Sequence, residues 1–146
     1  MKIYLDTSVI SALFDKRTPE RLAQTEQAWK LLPDYMVCIS NVVIEELSNA
    51  KDDYKERFLK TIEGFTILEV TDDVYELANE YVARGIFPEK YIDDAVHVAV
   101  ATLNNIGILL SWNFTHLVKI KTRRMIALVN SEKNYISVEI ISPPEL

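Results

Sequence analysis

Five short apolar runs constrain this chain more than any other feature. They are Ile3–Leu5, Tyr35–Ile39, Thr66–Val70, Ile108–Leu110 and Val138–Ile141. Runs this short, bounded by polar or turn residues, read as strands rather than as buried helices. Stretches with helical spacing separate them. Val9, Ile10, Leu13 and Phe14 follow the first. Pro19 opens a second helix carrying Leu22, Ala28, Trp29 and Leu32, since proline suits a first helical position. Ser40 is a good N-cap for a helix with Val43, Ile44 and Leu47, and Lys51–Thr61 reads as an exposed amphipathic helix closed by Gly64. Thr71 or Asp72 caps another, ended by Gly85. Pro88 opens the helix Tyr91–Asn104, and a last helix lies near Lys119–Ser131. Pro143-Pro144 is expected to end ordered structure. Strands alternating with helices predict an α/β fold with a central, mainly parallel five-stranded sheet.

The bulk properties narrow the class. A length of 146 residues suits one domain spanning 1–146, and 49% apolar residues supply a full core. Three glycines and five prolines leave little room for disordered linkers. The net charge of −6 argues against a strongly basic protein that coats nucleic acid. It leaves open an enzyme that handles phosphodiesters through metal ions, because the ions carry the positive charge. The single cysteine, Cys38, sits in an apolar run and reads as a small buried hydrophobe. No Cys/His cluster suggests zinc. No apolar run reaches the length of a membrane span, and the first strand with Asp6 stands where a signal peptide would have its apolar region. The expectation is a cytoplasmic protein.

Four acidic or amide positions sit where apolar elements start or stop. Asp6 ends the first strand and is followed by Thr7 and Ser8. Glu45 and Glu46 lie in the helix after the second strand. Asp93 and Asp94 open the helix that runs through AVHVAVATL, and Asn113 follows the fourth strand. In a parallel sheet the strand carboxyl ends and the starts of the following helices share one edge, where ligands bind. Each acid alone is equally well explained as a helix cap or a dipole partner. At about 100° per residue, Asp93 and Asp94 point in different directions and have different roles, as do Glu45 and Glu46. A helix apolar nearly all round is buried on more than one side. A carboxylate at its head then needs a partner. Several converging carboxylates would repel one another, and Mg2+ or Mn2+, which take oxygen ligands, would relieve that repulsion.

These residues, in this order, resemble the PIN-domain ribonucleases, specifically the small VapC-type toxins of toxin–antitoxin pairs. IYLDTSVISALF looks like the opening strand with its first acid, Asp6. ISNVVIEEL looks like the second motif, whose acid directly precedes leucine, which assigns Glu46 rather than Glu45. DDAVHVAVATLNNIGILLSWNF looks like the third and fourth motifs run together, and its Asp-Ala step assigns Asp94. SWNF stands where many members have Thr-x-Asp, so Asn113 takes the fourth position and Ser111 that of the threonine. The match runs from Ile3 to about Leu117.

The resemblance implies a three-layer α/β/α domain. It also implies hydrolysis of RNA phosphodiesters with Mg2+ or Mn2+ held by Asp6, Glu46 and Asp94, a homodimer, and a cognate antitoxin that blocks the site. Asn113 departs from the pattern. It removes one negative charge, and its amide either coordinates through oxygen or orients a water. The alternative is a catalytically weak or inactive PIN-like module that binds RNA or protein. A phosphatase of the haloacid-dehalogenase type ranks lower, because it needs a second aspartate where this chain has Ser8.

Several other residues have two readings. Thr7 and Ser8 are expected to support Asp6 by hydrogen bonding. His97, at i+3 from Asp94, either faces the site or is a hydrogen-bonded core residue, the more common case. His116 is expected to pack or to lie at the surface. Lys119, Lys121, Arg123 and Arg124 form the one basic cluster, whose commoner reading is a solvated helix face rather than an RNA contact. Trp29, Tyr35 and Phe58 are expected in the core or at helix contacts. Trp112 either stacks on a base or closes the core.

Overall fold

A computed structural model describes all 146 residues. Its five strands are β1 (Lys2–Leu5), β2 (Met36–Ser40), β3 (Thr66–Leu68), β4 (Ile108–Leu110) and β5 (Glu139–Ile141). They form one parallel sheet in the order β3-β2-β1-β4-β5. In the central strand Ile3, Tyr4 and Leu5 are fully buried. A parallel strand covered on both faces needs such a continuous run. Ile3 lies opposite Val37 on one side and Ile108 on the other.

Seven helices connect and cover the strands: α1 (Thr7–Ala12), α2 (Pro19–Leu31), α3 (Asn41–Ser48), α4 (Asp52–Thr61), α5 (Asp72–Ala83), α6 (Ile92–Leu103) and α7 (Ile120–Glu132). From β1 the chain steps outward through β2 to β3, then crosses back to β4 and on to β5. Right-handed crossovers therefore place α1–α4 on one face and α5–α7 on the other. The contacts agree: α1 touches α2, α3 and α4, while α5 packs along α6. The result is the three-layer α/β/α arrangement. The direction of winding reverses between β1 and β4. A crevice opens at such a switch point, outside the carboxyl ends of the strands.

The ends of the elements show where local pattern misleads. β3 stops at Leu68 rather than Val70, because its one neighbour ends there: Leu68 pairs with Ser40, the last residue of β2. Tyr35 belongs to a turn and not to the second strand, since its N–H donates to the Leu32 carbonyl. Pro88 opens a short 3-10 turn, Glu89–Tyr91, and α6 itself begins at Ile92. Gly64 and Gly85 both lie at positive φ, +87° and +78°, where a side chain would be strained. Pro143-Pro144 does not end ordered structure. Ser142 caps a 3-10 turn over Pro143–Glu145, and the Glu145 carboxylate accepts from both the Ser142 N–H and its hydroxyl. Pro143 is buried, and the turn packs against α2. No helix is long and apolar enough to cross a membrane.

Candidate active site

Asp6 directly follows β1 at the switch point. Its N–H still donates to the Leu110 carbonyl of β4, so the backbone is held by the sheet as the chain turns away. Its side chain is the N-cap of α1 and accepts from the Val9 N–H. The cap and the site acid are therefore one residue, and the two readings of the sequence do not compete. The carboxylate is only 4% exposed. Ser8 donates to Oδ1 at 2.5 Å, and the Ser111 hydroxyl donates to Oδ2. Each serine in turn accepts a backbone N–H from the loop after β4: Trp112 N–H donates to Ser8 at 2.8 Å, and Asn113 N–H to Ser111 at 2.9 Å. Two hydroxyls thus tie Asp6 to the loop that carries Asn113. Burial pushes the Asp6 carboxyl above the usual range, against the pull of His97 and of these hydrogen bonds.

Thr7 does not share this role. Its hydroxyl is buried and has no hydrogen-bond partner. Ser40 also departs from expectation. It occupies the N-cap position of α3, but its hydroxyl bonds to Tyr4 Oη at 2.8 Å instead of capping the helix.

Glu46 lies on the inner side of α3, 37% exposed, whereas Glu45 is turned to solvent. Asp94 lies in the first turn of α6, half-buried, and Asp93 is exposed. The assignment of one acid from each adjacent pair matches their burial. His97 is 3% exposed, one turn along α6, and its Nε2 meets Glu46 Oε1 at 3.0 Å. Its Nδ1 meets Tyr4 Oη at 2.7 Å. Burial disfavours the imidazolium, yet the Glu46 bond and the charges of Asp6, Glu46 and Asp94 hold the His97 pKa above its ordinary value. Burial likewise disfavours the Glu46 carboxylate, but His97 holds its pKa low. Asp94 is pushed up, by desolvation first. The charges of Asp6 and Glu46 add to this, and His97 and His116 oppose it.

Asn113 has a fixed orientation. Its Oδ1 accepts the His116 N–H at 2.9 Å, a bond that only an oxygen can make. Its Nδ2 is therefore the end facing Asp94 Oδ1, at 3.4 Å. The fourth position thus holds a turn cap that offers a donor to Asp94, and its oxygen is already engaged.

The remaining aromatic and basic residues resolve simply. The Trp112 indole is buried, its Nε1 donates to Thr25 at 2.9 Å, and Arg21 lies over its ring. It closes the core and has no free face for a base. His116 stacks on Tyr91, with ring centroids 4.1 Å apart. Lys119, Lys121 and Arg124 are exposed, and Arg123 faces Glu145 at 3.6 Å. Phe58 is buried, while Trp29 and Tyr35 are half-buried against the core. The largest cavity, about 760 Å³ between α1 and α4, is lined by Phe14, Tyr54 and Arg57 among others, and none of the four candidate residues borders it.

A sequence model of the PIN domain matches residues 3–113, most of the chain. The chain belongs to the PIN-domain family. No curated protein sequence matched it. Among solved structures, this PIN domain is similar to VapC20 of Mycobacterium tuberculosis, described as a sarcin-ricin loop cleaving toxin. The identity is 24% and the TM-score 0.65, over 78% of this chain and 92% of that one. A toxin–antitoxin complex from Klebsiella pneumoniae matches at 19% identity and TM-score 0.65, over 97% of each chain. VapBC-1 from nontypeable Haemophilus influenzae matches at 16% and 0.62, over 98% of each. At these identities the likeness is one of fold, and the fold is that of VapC toxins.

The residues present suit a hard divalent cation. The donors are carboxylate oxygens, and Asp94 is pushed up by desolvation first, with the charges of Asp6 and Glu46 adding to it. A buried hydroxyl without a partner, that of Thr7, adjoins Asp6. The acids do not, however, close into a ready-made ligand cage: no three His, Cys, Asp or Glu side chains come close enough together to hold an ion. The three predicted ligands share one edge of the sheet as separately anchored groups.

Tyr4 and Ser40 were not legible as site residues. Tyr4 reads as core and Ser40 as a cap. The available signal was parity: Tyr4 and Asp6, two residues apart, point to the same side, and a buried tyrosine hydroxyl has to find a polar partner.

Proposed function

We propose that this PIN domain is a Mg2+- or Mn2+-dependent endoribonuclease that hydrolyses RNA phosphodiester bonds as the toxin of a toxin–antitoxin pair. One observation supports the reading: hydrogen bonds tie Asp6 to Ser111 and Ser111 to the Asn113 backbone, Asn113 in turn faces Asp94, and Glu46 bonds to His97 one turn further along the helix of Asp94. In this reading Asp6, Glu46 and Asp94 hold the cation. The open arrangement suits Mg2+, which keeps several waters rather than filling its shell with protein groups. When bound, the cation supplies Lewis acidity toward the phosphodiester and toward an attacking water.

The chain's own residues do the positioning. Ser8 and Ser111 fix both oxygens of Asp6. Asn113 turns a donor toward Asp94, which restrains that carboxylate without adding a fourth negative charge. Burial of Asp6 keeps water from competing at its oxygens.

The likeness to toxin–antitoxin complexes supports a cognate antitoxin; in the proposed reading it covers the acidic edge, and the chain is a cytoplasmic homodimer. The test is cleavage of RNA oligonucleotides by the purified chain. Activity is expected with Mn2+ or Mg2+, to be lost with EDTA, and to fall at least a hundredfold in Asp6→Asn and Asp94→Asn while circular dichroism stays unchanged. Cleavage that survives both substitutions overturns the assigned site. Toxicity on expression, relieved by co-expressing the small protein encoded beside it, tests the toxin reading.

One observation favours a second reading. Because the Asn113 oxygen accepts the His116 N–H and its nitrogen turns to Asp94, the fourth corner brings no negative charge to a cation. A calorimetric titration that shows no Mn2+ binding at millimolar concentration would favour a non-catalytic module that binds RNA or protein.

A further inference from the structure

The contacts of His97 form a closed loop. Ser40 stands at the N-cap of α3, and its hydroxyl meets Tyr4 Oη at 2.8 Å. Tyr4 Oη meets His97 Nδ1 at 2.7 Å, and His97 Nε2 meets Glu46 Oε1 at 3.0 Å. Glu46 lies on α3 again. A chain of three hydrogen bonds thus leaves α3 at its start, crosses the central strand and α6, and returns to α3 at its acid. Tyr4, Ser40 and His97 are all buried.

We infer that His97 is a positioning residue: from α6 it clamps Glu46 against Tyr4 of β1 and so sets the rotamer and reach of the second acid. This rests on the proposal that Glu46 is a cation ligand. Two physical points carry it. A side chain in the middle of an apolar helix packs as well when it is leucine or valine, and burying an imidazole is unfavourable unless both nitrogens are satisfied. Here both are, and both partners lie toward the acidic edge. The Glu46 side chain is also 37% exposed, and a long side chain at a solvent edge has rotamer freedom to lose. Without an anchor its carboxylate would spend much of its time in solvent, and a ligand that must be ordered on binding holds its ion less tightly.

The two nitrogens can be tested separately. In His97→Gln the side-chain amide reaches the place of Nε2 and keeps the Glu46 bond. In His97→Asn the shorter amide reaches only the place of Nδ1 and keeps the Tyr4 bond. Both leave a polar group in the core. Calorimetric titration with Mn2+ alone, without RNA, is the readout. Removing a group that orients a ligand typically weakens metal affinity about 10–100-fold. The expected result is such a loss in His97→Asn and affinity within about threefold of the parent in His97→Gln. Tyr4→Phe, which like His97→Gln loses the far side of the clamp and keeps the Glu46 bond, is expected to lose less than His97→Asn. Equal affinity in the Gln and Asn variants, both folded by circular dichroism, overturns the clamp. A parent chain that binds Mn2+ but cleaves no RNA overturns the ribonuclease reading alone and leaves the clamp to stand or fall on the comparison of variants. A parent chain that binds no Mn2+ overturns both.

Discussion

At the scale of single residues, Asp6 caps α1 through Oδ1 while its two oxygens take hydroxyl donors from opposite sides of the switch point. A buried carboxylate is tolerable only when such donors replace lost water. Ser111 therefore contributes to folding as well as to the site. Ser111→Ala removes a donor to a buried acid and leaves the Asn113 N–H without its acceptor. The expected destabilisation is about 1–3 kcal/mol, read from the midpoint of a urea melt, and Ser111→Thr should recover most of it. Asp6 was legible in the sequence, because an acid directly after a short apolar run sits at a strand end, whereas Ser111 was legible only through the family motif, as the counterpart of its threonine. Thr7, equally well placed, gives Asp6 no hydrogen bond; its hydroxyl lies toward Glu46 and helps to keep that carboxyl's pKa low. Side-chain direction within the first turn of α1 decides between Thr7 and Ser8, and only coordinates supply that direction.

At the scale of elements, the second helical layer is joined by a buried polar network. Tyr81 of α5 donates to Asn130 Oδ1 of α7 at 2.5 Å, and Asn130 Nδ2 donates to Thr102 of α6 and to the Ile136 carbonyl, both at 3.2 Å. Burial pushes the Tyr81 phenol up to about 12, while its hydrogen bonds with Thr102 and Asn130 oppose the shift. The unfolded chain ionises near the ordinary tyrosine value of about 10, so it releases this proton first as pH rises. The contribution of the neutral phenol is complete below about pH 10 and is lost as pH rises through 12. Denaturation midpoints between pH 9 and 12 should therefore fall more steeply for the parent than for Tyr81→Phe. At neutral pH that variant should be less stable by about 1–2 kcal/mol, since it leaves the Asn130 oxygen unpaired. None of this was legible, because Tyr81, Thr102 and Asn130 each follow the ordinary spacing of their own helix.

At the scale of the whole molecule, the acids belong to elements that have little to do with one another except at the sheet edge. A cation that binds there joins β1, α3 and α6. In the proposed reading, Mn2+ at about 100 times its dissociation constant should stabilise the fold by about 2.7 kcal/mol. For a domain of this size that amounts to a rise in Tm of roughly 5–10 °C. Differential scanning calorimetry with and without Mn2+ measures it, and Asp94→Asn should lose most of the rise. A rise of the same size in that variant would place the ion elsewhere.

The sequence by itself determined the alternation of strand and helix, and with it a parallel sheet with its functional edge at the strand ends. Short apolar runs have no other way to be buried on two faces. It also brought acids to the element boundaries, but position alone left Glu45 beside Glu46 and Asp93 beside Asp94, and the family motifs chose between them. Only the tertiary structure decided what those acids touch. Ser40 became a partner of Tyr4 rather than a cap, His97 joined the site from within an apolar helix, and Asn113 turned its nitrogen and not its oxygen toward Asp94. The reason is physical. Periodicity records which face of an element is apolar, and it is blind to where a single polar atom on that face finds its partner across 36 or 93 residues of chain. Whether the strand-end acid at Asp6 is a cap could not be read locally; the fold makes it one, and both of its oxygens also take serine donors at the switch point.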